Sequence, residues 1–147
     1  MTRRVVATGT FDILHPGHLY YLQESKKLGD ELYVIVARDA NVRHKPRPVM
    51  PEEHRLAMVA ALRPVDHAVL GDTTDMFRPI VGIQPAIITI GFNQLFREED
   101  LAAKLRARNL SAEVVRIGKY AEDDLSSRQV IQRILDKRCT DRDEGQQ

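Results

Sequence analysis

Apolar residues recur with two different periods, and these periods alternate along the chain. Short β-branched runs, such as Glu31 to Ala37 and Ala86 to Ile90, are typical of buried strands. Between them lie segments whose apolar residues are three or four positions apart, as expected for amphipathic helices. The pattern predicts strands at 4–8, 31–37, 66–70, 86–90 and 112–117. It predicts helices at 17–28, from 51 onwards, at 72–83 with a disturbance at Pro79, at 97–109 and at 126–138.

The alternation of strands and helices predicts parallel crossover connections. We therefore expect an α/β fold: a single doubly wound, Rossmann-like domain over residues 1–138, with a five-stranded parallel sheet and helices on both faces. Residues 139–147 are polar and are predicted to form a disordered tail. In such folds ligands bind beyond the carboxyl ends of the strands, where the strand order reverses.

Composition and charge narrow the classes of function. The chain has 147 residues, of which 43% are hydrophobic, and this is enough for one domain with a real core. No apolar run approaches the roughly 18 residues that span a membrane. We expect no signal peptide, because the first predicted strand begins at residue 4. A net charge of +1 provides no general attraction to nucleic acid or membranes. The single cysteine, Cys139, suits a reducing cytoplasm.

The segment from Gly9 to His18 (Gly-Thr-Phe-Asp-Ile-Leu-His-Pro-Gly-His) carries the most distinctive candidate chemistry. A strand that ends in a glycine turn and opens into a helix presents backbone N–H groups to an anion. His15 and His18 lie on one face of the first helical turn. Pro16 suits the first helical position, and Gly17 lets a ligand approach the backbone. The segment is therefore predicted to hold an anion between two imidazoles.

The histidine pair has two other interpretations. A zinc site needs three or four ligands, and His44, His54 and His67 show no matching spacing. The pair could also be an ordinary helix start with solvent-facing polar groups, although this does not explain the flanking glycines.

Polar residues also follow the other predicted strands, and the carboxyl ends of parallel strands meet at one edge of the sheet. Asn93 could bond a base edge or a ribose hydroxyl, or form an Asx turn. Ser126 and Ser127 are ordinary helix N-cap residues in their own right. Tyr120 could pack on a purine base or belong to the core.

Basic residues are concentrated in residues 43–47 (Arg-His-Lys-Pro-Arg). Lys45 could reach the β- or γ-phosphate of a nucleotide from a mobile loop, or the loop could simply be solvated. Arg55 could reach the same site or pair with Glu52 on its own helix. Asp12 and Asp39 are expected to fix loops rather than to bind metal.

The motifs resemble those of a known superfamily. Gly9-Thr10-Phe11-Asp12 followed by His15-Pro16-Gly17-His18 is similar to the signature of nucleotidyltransferases of the cytidylyltransferase type. Asn93 and Ser126-Ser127 stand where that superfamily has a nucleotide-binding turn and a phosphate-binding motif. Within it the chain is most similar to archaeal-type FAD synthases, on residues 36–39, 45–48, 51–55 and 117–120.

This resemblance implies an enzyme that transfers AMP from ATP to the phosphate of FMN, releasing pyrophosphate without a covalent intermediate. It implies catalytic roles for His15, His18 and Lys45. The nucleotide contacts that it implies come from Thr10, Phe11, His15, Pro16, Gly17, His18, Asn93, Tyr120, Ser126 and Ser127.

The resemblance also implies a divalent metal, Mg²⁺, that arrives with ATP, no permanently bound organic cofactor, and homodimer formation. We name no protein ligand for the metal, since Mg²⁺ takes most of its ligands from phosphates and water. Two alternatives stay open: a CTP-dependent transferase acting on glycerol 3-phosphate or a related alcohol phosphate, and a nucleotide-binding sensor without turnover. Asn93 and Arg128 depart from the family pattern, which more often has Asp and a small hydroxyl residue at these positions.

Overall fold

The computed structural model describes residues 2–43, 46–120 and 126–145. Its strands are β1 (Arg4–Gly9), β2 (Glu31–Val36), β3 (His67–Leu70), β4 (Ile87–Ile90) and β5 (Glu113–Arg116). Its helices are α1 (Pro16–Lys26), α2 (Glu52–Ala60), α3 (Arg78–Ile83), α4 (Glu98–Arg106) and α5 (Ser127–Gly145), with a 3₁₀ turn at Asp39–Asn41. In the described part of the chain, none of the helices has the length and apolar character that a membrane crossing requires.

The five strands form one parallel sheet in the order β3-β2-β1-β4-β5, which confirms the predicted α/β, Rossmann-like fold. The chain winds from β1 through β2 to β3, and then crosses to the other side of β1 to add β4 and β5. The strand order therefore reverses between β1 and β4. This gap is where ligands bind in open parallel sheets.

The reversal also explains why both faces of the sheet are covered. Crossover connections are right-handed, so a chain that winds in opposite directions leaves its helices on opposite faces. Leu22 of α1 and Val59 of α2 pack on one face, in a cluster with Val5 and Val34. On the other face, residues of α3 and α4 join a second cluster that includes Val6, Ile35 and Ile88.

A buried polar network anchors α1 to the sheet below the β1–β4 gap. The hydroxyls of Ser25 and Thr89 are 2.7 Å apart, and the Tyr21 hydroxyl donates to the Thr89 carbonyl at 2.8 Å. The Thr8 amide donates to the Tyr21 oxygen at 3.3 Å. Burial raises the pKa of Tyr21 to about 12, so its hydroxyl stays protonated. The network holds the middle and the end of α1 against β1 and β4, the strands between which the strand order reverses.

Two helices differ most in length from the prediction. Helix α3 begins at Arg78, because the carboxylates of Asp72 and Asp75 accept hydrogen bonds from following amides and hold residues 72–77 as turns. Pro79 lies in the first turn of α3 and is compatible with it. Helix α5 continues to Gly145, through most of the predicted tail, because residues 139–144 contain neither glycine nor proline.

Candidate active site

The start of α1 is capped by an imidazole. His15 has extended backbone angles (φ −148°, ψ 170°), and its Nδ1 accepts a hydrogen bond from the Gly17 amide at 3.0 Å. Pro16 is the first helical residue, where its missing N–H is of no consequence. Because Nδ1 is an acceptor, a neutral His15 carries its proton on Nε2. The cap thus leaves His15 with one N–H donor available to a ligand.

The rings of His15 and His18 are stacked, with centroids 3.9 Å apart and planes inclined by 30°. The ring of Phe11 contacts that of His18 at a centroid distance of 5.4 Å. Among the described residues, His18 Nδ1 is the one buried side-chain nitrogen or oxygen without a hydrogen-bond partner. An unpaired buried polar atom lowers stability. Its presence is therefore more consistent with a functional role for His18 than with a structural one.

The Phe11 ring packs against His18 and is too buried to form a surface for a ligand. Its side chain is only 3% exposed, and its φ of 55° lies in the left-handed region that non-glycine residues rarely adopt. A Cβ on Gly9 would lie 2.9 Å from two carbons of the Phe11 ring, so position 9 has no room for a side chain. The predicted contact of Phe11 with a nucleotide is therefore restricted to its backbone.

Both histidines are uncharged at neutral pH in the free protein. Burial lowers the pKa of His15 below its ordinary value. Burial, assisted by the neighbouring His15, lowers the pKa of His18 to about 3. A bound polyphosphate would act in the opposite direction, because a nearby negative charge favours the protonated form of an imidazole.

The low pKa of His18 makes stability depend on pH. An unfolded histidine takes up a proton below about pH 6.5, whereas folded His18 does so only near 3. Between these values the unfolded chain holds more protons, so this contribution to stability falls as the pH is lowered. We expect the thermal midpoint to drop between about pH 7 and about pH 5, and to drop less in His18→Leu. Calorimetry that finds equal drops in both proteins would contradict this expectation.

The start of α5 lies beside the same loop. The Ser127 hydroxyl donates to the Ile13 carbonyl at 3.0 Å and accepts from the Ile13 amide at 3.2 Å. The Ser126 hydroxyl accepts from the Gln129 amide at 3.2 Å, which is an N-cap contact. Ser127 thus holds the α5 N-terminus against the β1–α1 loop, while Ser126 caps the helix itself. Two helix N-termini, each carrying a partial positive charge, are brought together there.

Asn93 and Tyr120 follow the ends of β4 and β5, so they lie at the same end of the sheet as the histidines. Asn93 is exposed in the turn after β4. Tyr120 is 51% exposed and its ring lies 5.7 Å from that of Tyr20 on α1, so it is not a core residue. Lys45 lies outside the described residues.

Arg55 is a central residue that the pattern of the sequence left undecided. It is fully buried and donates to the carbonyls of Thr10 (2.7 Å), Ala37 (2.9 Å) and Met50 (3.0 Å). It also pairs with Asp39 at 2.5 Å, and this hydrogen bond lowers the pKa of the carboxyl. Arg55 therefore joins the ends of β1 and β2 to the segment before α2.

Glu52, one of the two alternatives for Arg55, pairs with Arg38 instead. A signal for the burial of Arg55 was present, because it lies one helical turn before the buried Val59. Asp12 has the loop-fixing role expected of it, since its carboxylate accepts from the amides of Val49 (2.8 Å) and Met50 (2.9 Å). The first half of the β1–α1 loop is thereby tied to Val49 and Met50, just before α2.

A second arginine that sequence patterns did not reveal is Arg116, at the end of β5. Its guanidinium donates to the carbonyls of Gly91 (2.9 Å), Gln94 (3.0 Å) and Phe96, and to the carboxylate of Glu98 at 2.6 Å. The segment after β4 is thus held by a side chain and not by regular secondary structure. No periodicity in the sequence reports such contacts.

The described residues contain no group of three or more His, Cys, Asp or Glu side chains close enough to hold a metal ion.

Known proteins match the chain over most of its length. The model of the cytidylyltransferase-like family matches residues 6–133. The FAD synthase of Methanoregula boonei is 73% identical over 137 residues, which cover 92% of this chain and 93% of that protein. The FAD synthase of Methanosphaerula palustris is 71% identical, with 92% and 90% covered.

Solved structures show the same architecture. The lipopolysaccharide core biosynthesis protein of Thermoplasma volcanium has a TM-score of 0.80 and 47% identity, over 82% of this chain and all (100%) of that one. Pantothenate synthetase of Thermus thermophilus has a TM-score of 0.57 at 16% identity, over 88% of this chain and 61% of that one. The second likeness concerns the fold alone. The chain belongs to the cytidylyltransferase-like family and, within it, to the FAD synthases.

Proposed function

We propose that this protein is an FMN adenylyltransferase, which transfers AMP from ATP to the phosphate of FMN. An FMN phosphate oxygen attacks the α-phosphorus of ATP, the bond from that phosphorus to the bridging oxygen breaks, and pyrophosphate leaves. The phosphate nucleophile is already anionic at neutral pH, so no general base is required. The observation that carries the proposal is the pair of stacked, neutral imidazoles at the start of α1.

The contribution of the protein is positioning and charge stabilisation, as in other phosphoryl transfers. His15 and His18 donate hydrogen bonds to the phosphates and steady the negative charge that develops during in-line attack. The N-termini of α1 and α5 add backbone N–H groups and helix dipoles at the same place. Ser126 and Ser127 hold the second of these helices in position.

The other predicted residues complete the substrate contacts in this proposal. The backbone amides of Thr10 and Phe11 cradle the phosphates, and Pro16 and Gly17 form the start of α1, where the missing side chain of Gly17 lets the nucleotide come close. Asn93 bonds the ribose or the base edge, and Tyr120 packs on the adenine. Lys45 reaches the β- or γ-phosphate and stabilises the leaving pyrophosphate.

The metal and the compartment are also part of the proposal. A divalent ion, Mg²⁺, would arrive with ATP and neutralise phosphate charge, and no organic cofactor is permanently bound. We further propose that the reaction takes place in the cytoplasm, since a single cysteine suits a reducing compartment.

The proposal is tested by offering two nucleotides and two acceptors in parallel. The protein is incubated with Mg²⁺ and either ATP or CTP, together with either FMN or glycerol 3-phosphate. We expect FAD and pyrophosphate from ATP and FMN alone. CDP-glycerol from CTP and glycerol 3-phosphate would identify a cytidylyltransferase instead. Tight ATP binding without product in any combination would indicate a nucleotide sensor.

A further inference from the structure

Gln94 closes the turn that follows β4 in two ways. Its backbone amide donates to the Gly91 carbonyl at 3.2 Å, which is the hydrogen bond of a β-turn. Its side-chain Oε1 accepts from the Gly91 amide at 2.8 Å. The first and last residues of the turn are therefore bonded reciprocally, with Asn93 between them near the tip.

The same carboxamide also reaches across the gap at which the strand order reverses. Its Nε2 donates to the Thr8 carbonyl of β1 at 3.2 Å. The paired residues of β1 and β4 end at Ala7 and Thr89, and beyond them the two strands diverge. The Tyr21 hydroxyl bridges the two strands at the same level, since it contacts the carbonyls of Thr8 and Thr89. Gln94 is thus the side chain that links the turn itself to β1.

The outer side of the turn has an independent support. Arg116 donates to the carbonyls of Gly91 and Gln94 from β5. Loss of the Gln94 side chain therefore leaves the turn attached to β5. What that loss removes is the turn's own connection to β1, whereas the two strands stay bridged by the Tyr21 hydroxyl.

We propose that Gln94 is a positioning residue for the nucleotide, which sets the distance between the base-side turn at Asn93 and the phosphate-binding loop that follows β1. This inference rests on the proposed function, which places the triphosphate at the start of α1 and the nucleoside near Asn93. The base and the triphosphate belong to one molecule. ATP can therefore contact the turn at Asn93 and the phosphate-binding loop at once only when these two segments are at the correct distance from each other. A ligand that consists of phosphate alone needs only one half.

The test compares two ligands on one variant. Gln94→Met keeps the length of the side chain and removes both hydrogen bonds. We expect its affinity for MgATP to fall about tenfold, because the Gly91 amide loses its partner and the turn its link to β1. Its affinity for magnesium pyrophosphate should stay within about twofold of wild type, since the phosphate half is untouched. Isothermal titration calorimetry measures both.

A second variant separates the two contacts. Gln94→Glu retains an oxygen for the Gly91 amide but cannot donate to the Thr8 carbonyl, so it also should lose MgATP affinity. Gln132→Met is the matched control, because Gln132 bonds only with Asp136 on the exposed surface of α5 among the contacts described. It should bind both ligands as wild type does.

Several results would overturn the inference. Parallel losses of MgATP and pyrophosphate affinity in Gln94→Met would indicate general structural damage. Unchanged MgATP affinity would show that the link is irrelevant, and tighter binding would mean that the carboxamide occupies space that the nucleotide needs. Failure of the proposed function would be seen separately, as absence of FAD formation by the wild-type protein while its MgATP binding is intact.

Discussion

Replacing His18 by leucine is expected to lower kcat for FAD formation at least about tenfold, roughly 1.4 kcal/mol of transition-state stabilisation. The thermal midpoint of the same variant should be no lower than that of wild type. The imidazole contributes a donor to the reacting phosphates, whereas its buried Nδ1 has no hydrogen-bond partner in the described residues. Leucine retains apolar volume against the Phe11 ring and removes this unpaired atom. Activity and stability should therefore change independently.

Steady-state kinetics and differential scanning calorimetry on the same preparations test this expectation. His54→Leu is the matched control, because His54 is an exposed histidine on α2, whereas His18 is stacked on His15. It should keep wild-type kcat. A wild-type kcat in His18→Leu would show that the ring does not act on the reaction. A large loss of stability would show that its main role is to fill the space above Phe11.

Replacing Arg55 by methionine is expected to destabilise the protein by about 3 kcal/mol or more. Three carbonyl oxygens, those of Thr10, Ala37 and Met50, lose their donor at once, and Asp39 loses its charged partner. Unsatisfied buried acceptors cost about 1–3 kcal/mol each. Because Thr10 belongs to the phosphate-binding loop, the variant should also bind MgATP more weakly.

Denaturant unfolding at equilibrium provides the measurement for Arg55. Arg63→Met removes an exposed arginine just beyond the same helix and should change stability by less than about 0.5 kcal/mol. Arg55→Lys should recover only part of the loss, since an ammonium group cannot reproduce the fork of a guanidinium. If Arg55→Met unfolds with the wild-type midpoint and slope, the four contacts do not contribute to stability.

The fold was predictable because its information is local. A run such as residues 31–37 is apolar on both sides, which is typical of a strand covered on both faces, and the helical stripe of α2 follows it after a polar loop. Only a few topologies are compatible with such an alternation of strands and helices. The errors occurred where side chains compete with the helical backbone, as at Asp72 and Asp75 before α3, and at the end of α5, where polar residues continue a helix.

The candidate site was predictable only in part. His15 and His18 could be recognised as a pair because their spacing places them within one helical turn of each other. The stacking of their rings and the unpaired Nδ1 could not, because these depend on the position of Phe11 and on burial. Gln94 and Arg116 were missed for a related reason. The Thr8 carbonyl that Gln94 contacts lies 86 residues away in the chain, and the backbone carbonyl of Gln94 lies 22 residues from Arg116.

Local pattern thus accounts for the strands, the helices, the parallel α/β class and the phosphate-binding segment at residues 9–18, because each depends on neighbours in the chain. The tertiary structure decided which strand ends meet, which arginine is buried, and how the turn at Asn93 is tied to β1. It also decided that both imidazoles are neutral, since a pKa responds to desolvation and to charges in space. The chemistry of the two histidines is therefore a property of the folded chain and not of the motif.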